Sequence, residues 1–489
     1  MKENRNKKLF LLGGSLAVLL AVFLLVPGGA DYNIGYKNDG LQVNIPGRID
    51  DSVAQTDFTL PVIYLYSYEI DKLMPLWQWT PDGPVMPLRE ESTVDVYVFD
   101  RDVNNLTDIP TSVYYSTSMK LRGRTSSYMQ DKKPFSLEIR NYRTGESENR
   151  PFLRLDAESD FIFHAPYIDR SLVRNYIAYT LQRQLLDWAP ECRLAEVFVA
   201  ARGTEETDMT NYQGVYLITE KIKRGKNAIN IGKFTTSPNP DRQFEEGGGY
   251  IFKRDAYEEG FDTAIRLEEN SLGNSYSLVS PKAETATQEQ VQTIFTEIET
   301  YENALYNGTY EEMAKYYDTE QFAKVFLLDE FLKNYEGMSS STFYYRAKGG
   351  QLKVVQWDFD IGTGNVDYNR DYNNARGWYL FKRRYAQPFL QHEEFAQQVI
   401  SVWRDLRSEG GLLSEENIDL LLDGAETQLA GAWQRNDAAW PQLFQGIPFG
   451  NSQANKAENS LEEREYIREF LRERGRWMDE HIEEITGLY

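Results

Sequence analysis

The chain has 489 residues and carries 53 Lys and Arg against 75 Asp and Glu, a formal charge of −22, which argues against a general nucleic-acid surface. Its one cysteine, Cys192, rules out an intrachain disulfide and a Cys-based zinc centre. Three scattered histidines (His164, His392, His481) make a histidine triad or a His-rich metal site a poor reading.

In chain order, Lys2, Arg5, Lys7 and Lys8 precede an uncharged run from Leu9 to Val26, 18 residues at the short end of a bilayer span. Basic residues ahead of such a run keep the N-terminus inside and send the rest outside. Gly28 and Ala30 would also suit a cleaved signal, but the run is long for one, so an uncleaved anchor over 1–30 is expected. The absence of a nearby cysteine excludes a lipoprotein anchor. Either way the bulk of the chain is expected outside the cytoplasm, as a single-pass membrane or secreted protein. Residues 31–57 are polar and read as a linker.

The expected body is α+β. "LPVIYLYSYEI" (60–70) reads as a buried strand, "TVDVYVFD" (93–100) as an alternating one, and 118–141 as strand, basic loop, strand. "DRSLVRNYIAYTLQRQLLDWAP" (169–190) is a helix with Asp169 as cap and Pro190 as stop. "EVFVA" and "YQGVYLITEKI" pair, and "TQEQVQTIFTEIETYENALY" and "DTEQFAKVFLLDEFLKNYEG" are helices. "STFYYRAKGGQLKVVQWDFD" is a hairpin turning at Gly349-Gly350. From about Pro388 the chain is mostly helical, with Trp403, Leu406, Leu420, Leu421, Leu429 and Trp433 as candidate core.

Two segments are locally basic: Lys120, Arg122, Arg124, Lys132 and Lys133 around Gly123, and Lys221, Lys223, Arg224 and Lys226 after Glu220. Hairpin loops of this kind can cradle a phosphate; they are more often exposed charge. "VVQWDFDIGTGN" (354–365) adds two carboxylates, Asp358 and Asp360. If the strand continues through the motif they share a face, and neighbouring carboxylates repel unless a divalent cation or a proton intervenes. Basic groups and a metal-ready acid pair are the parts that phosphoryl transfer needs.

Seven segments in order resemble the CotH kinase family: "LRGRTSS" with "KKPFSLEI", "DRSLVRNYIA", "YQGVYLITEKI", "GGYIFKRD", "SPKAETATQEQ", "FLLDEFLKNYEGMSSSTFYYRAKGG" and "QWDFDIGTGN". The resemblance covers about 58–440, leaving 441–489 as a helical extension. It implies an atypical protein-kinase-like fold with a helical C-terminal part, and metal-dependent transfer of the ATP γ-phosphate to Ser or Thr hydroxyls of surface proteins, with Mg²⁺ or Mn²⁺.

By that resemblance Lys132 or Lys133 is the phosphate lysine and Glu220 a helper acid. Asp358 is the metal aspartate, supported by Asp360, and Arg122 and Arg124 belong to the nucleotide loop. The family usually places an aspartate about 22 residues before the acidic motif, where this chain has Glu336, followed by Ser340 and Ser341. Glu336 is one methylene longer, and misplacement by roughly an ångström can cost about 10²-fold. Asp329 with Asn334 offers an alternative spacing, but Asp329 sits in an apparent helix interior. Arg174 and Asn175 either face the nucleotide or tie their helix to a loop, the second being favoured. Two functions follow, a kinase and a pseudokinase that binds at the surface; a carboxylate hydrolase ranks lower, since it leaves the basic loops without a role.

Overall fold

The computed structural model describes residues 43–488 except 76–78, 81–82, 85–88, 124, 240–241, 256–264, 268, 271–272, 367–372 and 446–455. The N-terminal segment 1–30 and Arg124 therefore lie outside the described residues. Among the described residues no helix is long and apolar enough to cross a membrane.

Asn44–Tyr489 form one compact unit. Most of the expected linker enters it: Ile45 and Val53 are buried, Asp51–Ala54 is a helical turn capped by Asp50, and Arg48–Ile49 pairs with Glu206–Thr207.

A closed barrel comes first. Its strands are β1 (Val62–Ser67), β2 (Ser92–Phe99), β3 (Ser112–Leu121), β4 (Phe135–Glu138), β5 (Asp160–His164), β6 (Cys192–Ala201) and β7 (Tyr212–Glu220), in the order β5-β7-β6-β1-β2-β3-β4. Only β6 and β1 run parallel; the other pairs are antiparallel. The period-2 alternation fills the interior: Ile63 and Leu65, Val94, Val96 and Val98, Phe161 and Phe163, Tyr216 and Ile218 share one core. Residues of the opposite parity, such as Ile162, Leu194, Val215 and Leu217, face the second and larger core.

That core is built on helix α1 (Arg174–Leu185) and a five-stranded sheet. The sheet contains β8 (Tyr250–Arg254), β9 (Ile265–Arg266), β10 (Ser277–Ser280), β11 (Thr342–Arg346) and β12 (Lys353–Gln356), in the order β9-β10-β8-β11-β12. Around it pack α2 (Gln288–Asn307), α3 (Thr319–Phe331), α4 (Glu393–Arg407), α5 (Glu415–Leu429), α6 (Ala432–Ala439) and α7 (Ser460–His481). Of the expected helical core, Trp403, Leu421 and Leu429 are buried, but Leu420 is 57% exposed, because the inward stripe of α5 runs Ile418, Leu421, Leu422, Ala425. The helical tail is therefore part of the main body: α7 inserts Arg474, fully buried, onto the Glu330 carbonyl at 3.1 and 3.0 Å and the Ala375 and Gly377 carbonyls at 2.9 and 2.8 Å.

Helix α1 starts later than the sequence suggests. Asp169 caps it from a distance: its carboxylate accepts the Arg174 amide at 2.8 Å and the Ser171 amide at 3.1 Å, while Leu172 takes a left-handed φ of 70°. At the α6–β7 contact, Gly214 (φ 89°) leaves room for Asn436, whose Oδ1 would lie 2.4 Å from an added Cβ.

Candidate functional site

Strand β12 stops at Gln356, so the acidic motif is not a continuation of the strand, and the shared face expected for Asp358 and Asp360 does not arise from pleating. The buried amide of Gln182 on α1 replaces the missing strand partner. Its Oε1 accepts the Gln356 amide and its Nε2 donates to the Gln356 carbonyl, both at 2.9 Å. Beyond it, Trp357 and Phe359 enter the core against Tyr179, with ring centroids 5.2 and 5.9 Å away. Asp358, at φ 58°, turns the other way. Lys333, Met338, Ser341 and Thr363 are also left-handed, so strained backbone gathers in the two segments that carry the acids.

The backbone of the motif is held from α1 and from the 334–336 turn. Asn175 Oδ1 accepts the Phe359 amide at 2.7 Å, and its Nδ2 lies 3.0 Å from His164 Nε2. Asn334 Nδ2 donates to the Asp358 carbonyl at 3.2 Å and to Asp329 Oδ1 at 3.0 Å, while its Oδ1 accepts the Glu336 amide at 3.2 Å. Arg174 points away from the acids and ties α1 to the Gly362 and Thr363 carbonyls, both at 3.2 Å. Asp329 is a fully buried helix residue whose carboxyl burial pushes up to about 8.

Glu336 and Asp358 meet across Ser341. The Ser341 hydroxyl lies 3.5 Å from Glu336 Oε2 and 3.4 Å from Asp358 Oδ2. A third acid, Asp255, follows β8; it accepts Lys253 Nζ at 2.7 Å and the Ser340 hydroxyl at 3.1 Å. Burial, then the charges of Asp358 and Asp255, push Glu336 up to about 8. Burial raises Asp358 to about 6, with Arg122 opposing and Asp255 adding. Asp360 is pushed well above the carboxylate range by burial and then by Asp358 and Glu336; its Oδ2 stands 3.9 Å from His164 Nε2. His164 itself is held down at about 4 by burial and by Arg122. Burial and mutual repulsion thus raise Glu336, Asp358 and Asp360 together above the ordinary carboxylate range.

Two cations face it. Arg122 lies over the Trp357 ring at 5.3 Å, and its charge and that of Lys253 both act on Asp358. Lys253, Asp255 and His164 were not singled out as site residues by sequence reasoning, whereas Arg174 and Asn175 were, and both tie α1 to the loop that carries the acidic motif. The alternation of "YIFKRD" at a strand end was the available signal for Lys253 and Asp255.

The remaining expected site residues are placed elsewhere. Lys132 and Lys133 precede β4 instead of lying on a strand, so strand register does not choose between them. Both are buried: Lys132 Nζ donates to the Val215 carbonyl at 2.5 Å and Asn436 Oδ1 at 2.9 Å, and Lys133 Nζ donates to the Ser127 and Gln130 carbonyls at 3.1 and 2.6 Å. Burial pushes Lys132 down to about 7. Glu220 ends β7, where its Oε2 accepts the Glu191 amide at 2.9 Å; burial raises it to about 7, and Arg183, Glu191 and Asp156 are the charges around it. It is not brought to either lysine. In the second basic segment, Lys223 pairs with Glu158 at 2.9 Å and Asp160 at 2.5 Å, and Lys221 with Asp160 at 3.1 Å. Those lysines are structural charge.

A family model described as CotH kinase protein matches residues 119–478. The chain belongs to that family. The match takes in Arg122, Lys253, Glu336, Asp358 and Asp360, and runs on through most of α7, beyond the limit at 440 expected from sequence. Strands β1 and β2 precede it yet complete the barrel. A comparison with curated proteins gives no match. Membership in the CotH kinase family brings an expectation of atypical kinase activity, with ATP and a divalent cation used in general.

The donor set suits that chemistry. Mg²⁺ and Mn²⁺ take carboxylate and hydroxyl oxygens, and Mg²⁺ commonly uses only one or two protein carboxylates beside substrate phosphates. Among the described residues no group of three or more His, Cys, Asp or Glu is spaced to hold a metal unaided.

Proposed function

We propose that this CotH family member is an extracytoplasmic, membrane-tethered kinase that transfers the ATP γ-phosphate to Ser or Thr hydroxyls of surface proteins. The observation that carries the reading is the meeting of Glu336 and Asp358 across Ser341, opposite Arg122 and Lys253. Asp358 and Asp360 are the residues that would hold Mg²⁺ or Mn²⁺. When bound, the cation neutralises charge on the phosphates during transfer.

The chain's own groups account for the rest. Arg122 and Lys253 supply positive charge on the nucleotide side, in place of Lys132 and Lys133, whose ammonium groups are engaged inside the protein. Glu336 retains its proton to about pH 8 in this arrangement, which suits a group that orients an acceptor hydroxyl by hydrogen bonding. Strong backbone support from Asn175 and Asn334 fixes Asp358 before any ligand arrives.

The burial of both family-matched lysines favours a second reading, a pseudokinase that binds nucleotide or another ligand at the cell surface. Calorimetric titration of ATP, with and without Mg²⁺ or Mn²⁺, beside Asp358→Ala, tests the shared site. Metal-dependent binding lost in the variant supports it; no binding under any metal ends the kinase reading. Glu336→Asp then separates the two: a gain in turnover marks a weakened enzyme, no change a binding module.

A further inference from the structure

We infer that the surface formed by Lys382, Arg383 and Arg384 docks an acidic segment of the acceptor protein beside the carboxylate site. The inference rests on the kinase reading, and it names the class of acceptor. In a chain of net charge −22, three consecutive cations stand here, and none has a carboxylate within 4.0 Å among the described residues. Nearby Arg376 and Lys333 differ: Arg376 pairs with Glu473 at 2.8 Å, and Lys333 donates to the Asn374 and Arg376 carbonyls.

The segment is fixed to the residues that precede Glu336 and Asp255. The Arg383 guanidinium lies 5.1 Å from the Tyr379 ring and 5.9 Å from the ring of Tyr335, the residue before Glu336. It also donates to the Tyr379 hydroxyl, which in turn donates to the Tyr335 carbonyl at 2.5 Å. On the other side, Tyr385 carries Arg254, the residue before Asp255, at 4.5 Å. Lys382 and Arg384 are left exposed at the edge, and Arg384 lines a surface cleft with Tyr306, Gln387, Pro388 and Gln391.

Physically, an acidic ligand is repelled by the whole chain at long range and needs a concentrated local field to stay. At about 0.15 M salt the Debye length is ~8 Å, so the distant acids are screened while three adjacent cations act together. Because Arg383 packs on Tyr335 and Tyr385 packs on Arg254, an acidic stretch bound here lies along the segment that abuts the residues preceding Glu336 and Asp255.

The test uses the full chain and two labelled peptides, a serine flanked by glutamates and the same serine flanked by lysines, followed by fluorescence anisotropy at 0.15 M salt. ATP with Mg²⁺ is titrated in parallel by calorimetry. The acidic peptide is expected to bind and the basic one not. Lys382→Glu with Arg384→Glu is expected to weaken the acidic peptide at least about tenfold while leaving ATP affinity unchanged. Arg383, which holds the tyrosines, stays intact. Equal binding of both peptides, an unchanged affinity in the double variant, or capture of phosphatidylglycerol vesicles in place of the peptide overturns the docking surface. Loss of ATP binding alone, with peptide selectivity kept, strikes the kinase reading and leaves the surface standing.

Discussion

Replacing Arg174 with Met removes the cation that locks the acidic motif to the rest of the molecule. Its guanidinium is 1% exposed, donating to Asp169 Oδ1 and Glu463 Oε1 at 2.8 Å each, and to the Gly362 and Thr363 carbonyls at 3.2 Å each. Breaking a buried ion pair from one side costs about 3–5 kcal/mol, because the partner charges stay buried. Two facts pull the figure towards the lower end. Asp169 keeps the Ser171 hydroxyl and amide and the amide of residue 174, and Glu463 keeps Arg170 at 3.0 Å. The two carbonyls that lose a donor add about 1 kcal/mol or more, so a loss of roughly 3–4 kcal/mol is expected in urea unfolding, read from the midpoint at constant slope. The turn after Asp360 loses its anchor at the same time, so ATP affinity should fall with stability. A loss below about 1 kcal/mol would show that the pair is stabilised from elsewhere and would refute the anchoring argument.

Other outcomes follow from the same reasoning. Asn175→Ala frees the Phe359 amide and should weaken metal-dependent ATP binding, with a stability loss of about 1–3 kcal/mol; unchanged calorimetry would remove Asn175 from the positioning of the motif. Arg122→Met should cost more nucleotide affinity than Lys133→Met, since only Arg122 faces Asp358; the reverse order in titration would restore the lysine as the phosphate group. Glu220 gives a pH signature. Its folded value of about 7 lies above its ordinary 4.5, so the folded state holds the extra proton between those values. Its stabilising proton is fully effective below pH 4.5 and is lost as pH rises to 7, a contribution of about 3 kcal/mol. Glu220→Gln should flatten that part of the stability profile, as followed by urea midpoints from pH 5 to 8.

Much of the fold was legible because short-range rules decided it. The apolar run "VIYLYS" and the alternating "TVDVYVF" produced β1 and β2, and the Thr287 and Asp318 caps opened α2 and α3 where the sequence placed them. Closure of the barrel was not legible, since the parallel β6–β1 pairing joins residues over 130 positions apart. At the site, Glu336, Asp358 and Asp360 were found through their spacing and the family resemblance. Lys132 and Lys133 read as surface charge or a phosphate clamp; Asn436, three hundred residues on, is what consumes the first of them.

The sequence alone determined the acidic balance, the α+β class, the hairpin before the acidic motif and the identity of its carboxylates, because each depends on composition or on neighbours a few residues apart. Only the tertiary structure decided which charges meet. Gln182 ends β12, Asn175 and Asn334 turn Asp358 outward, and Lys253 and Asp255 arrive from another strand to face it. Charge interactions act through space and depend on burial, so the same lysine is a ligand group or a buried strut according to which distant carbonyl it reaches.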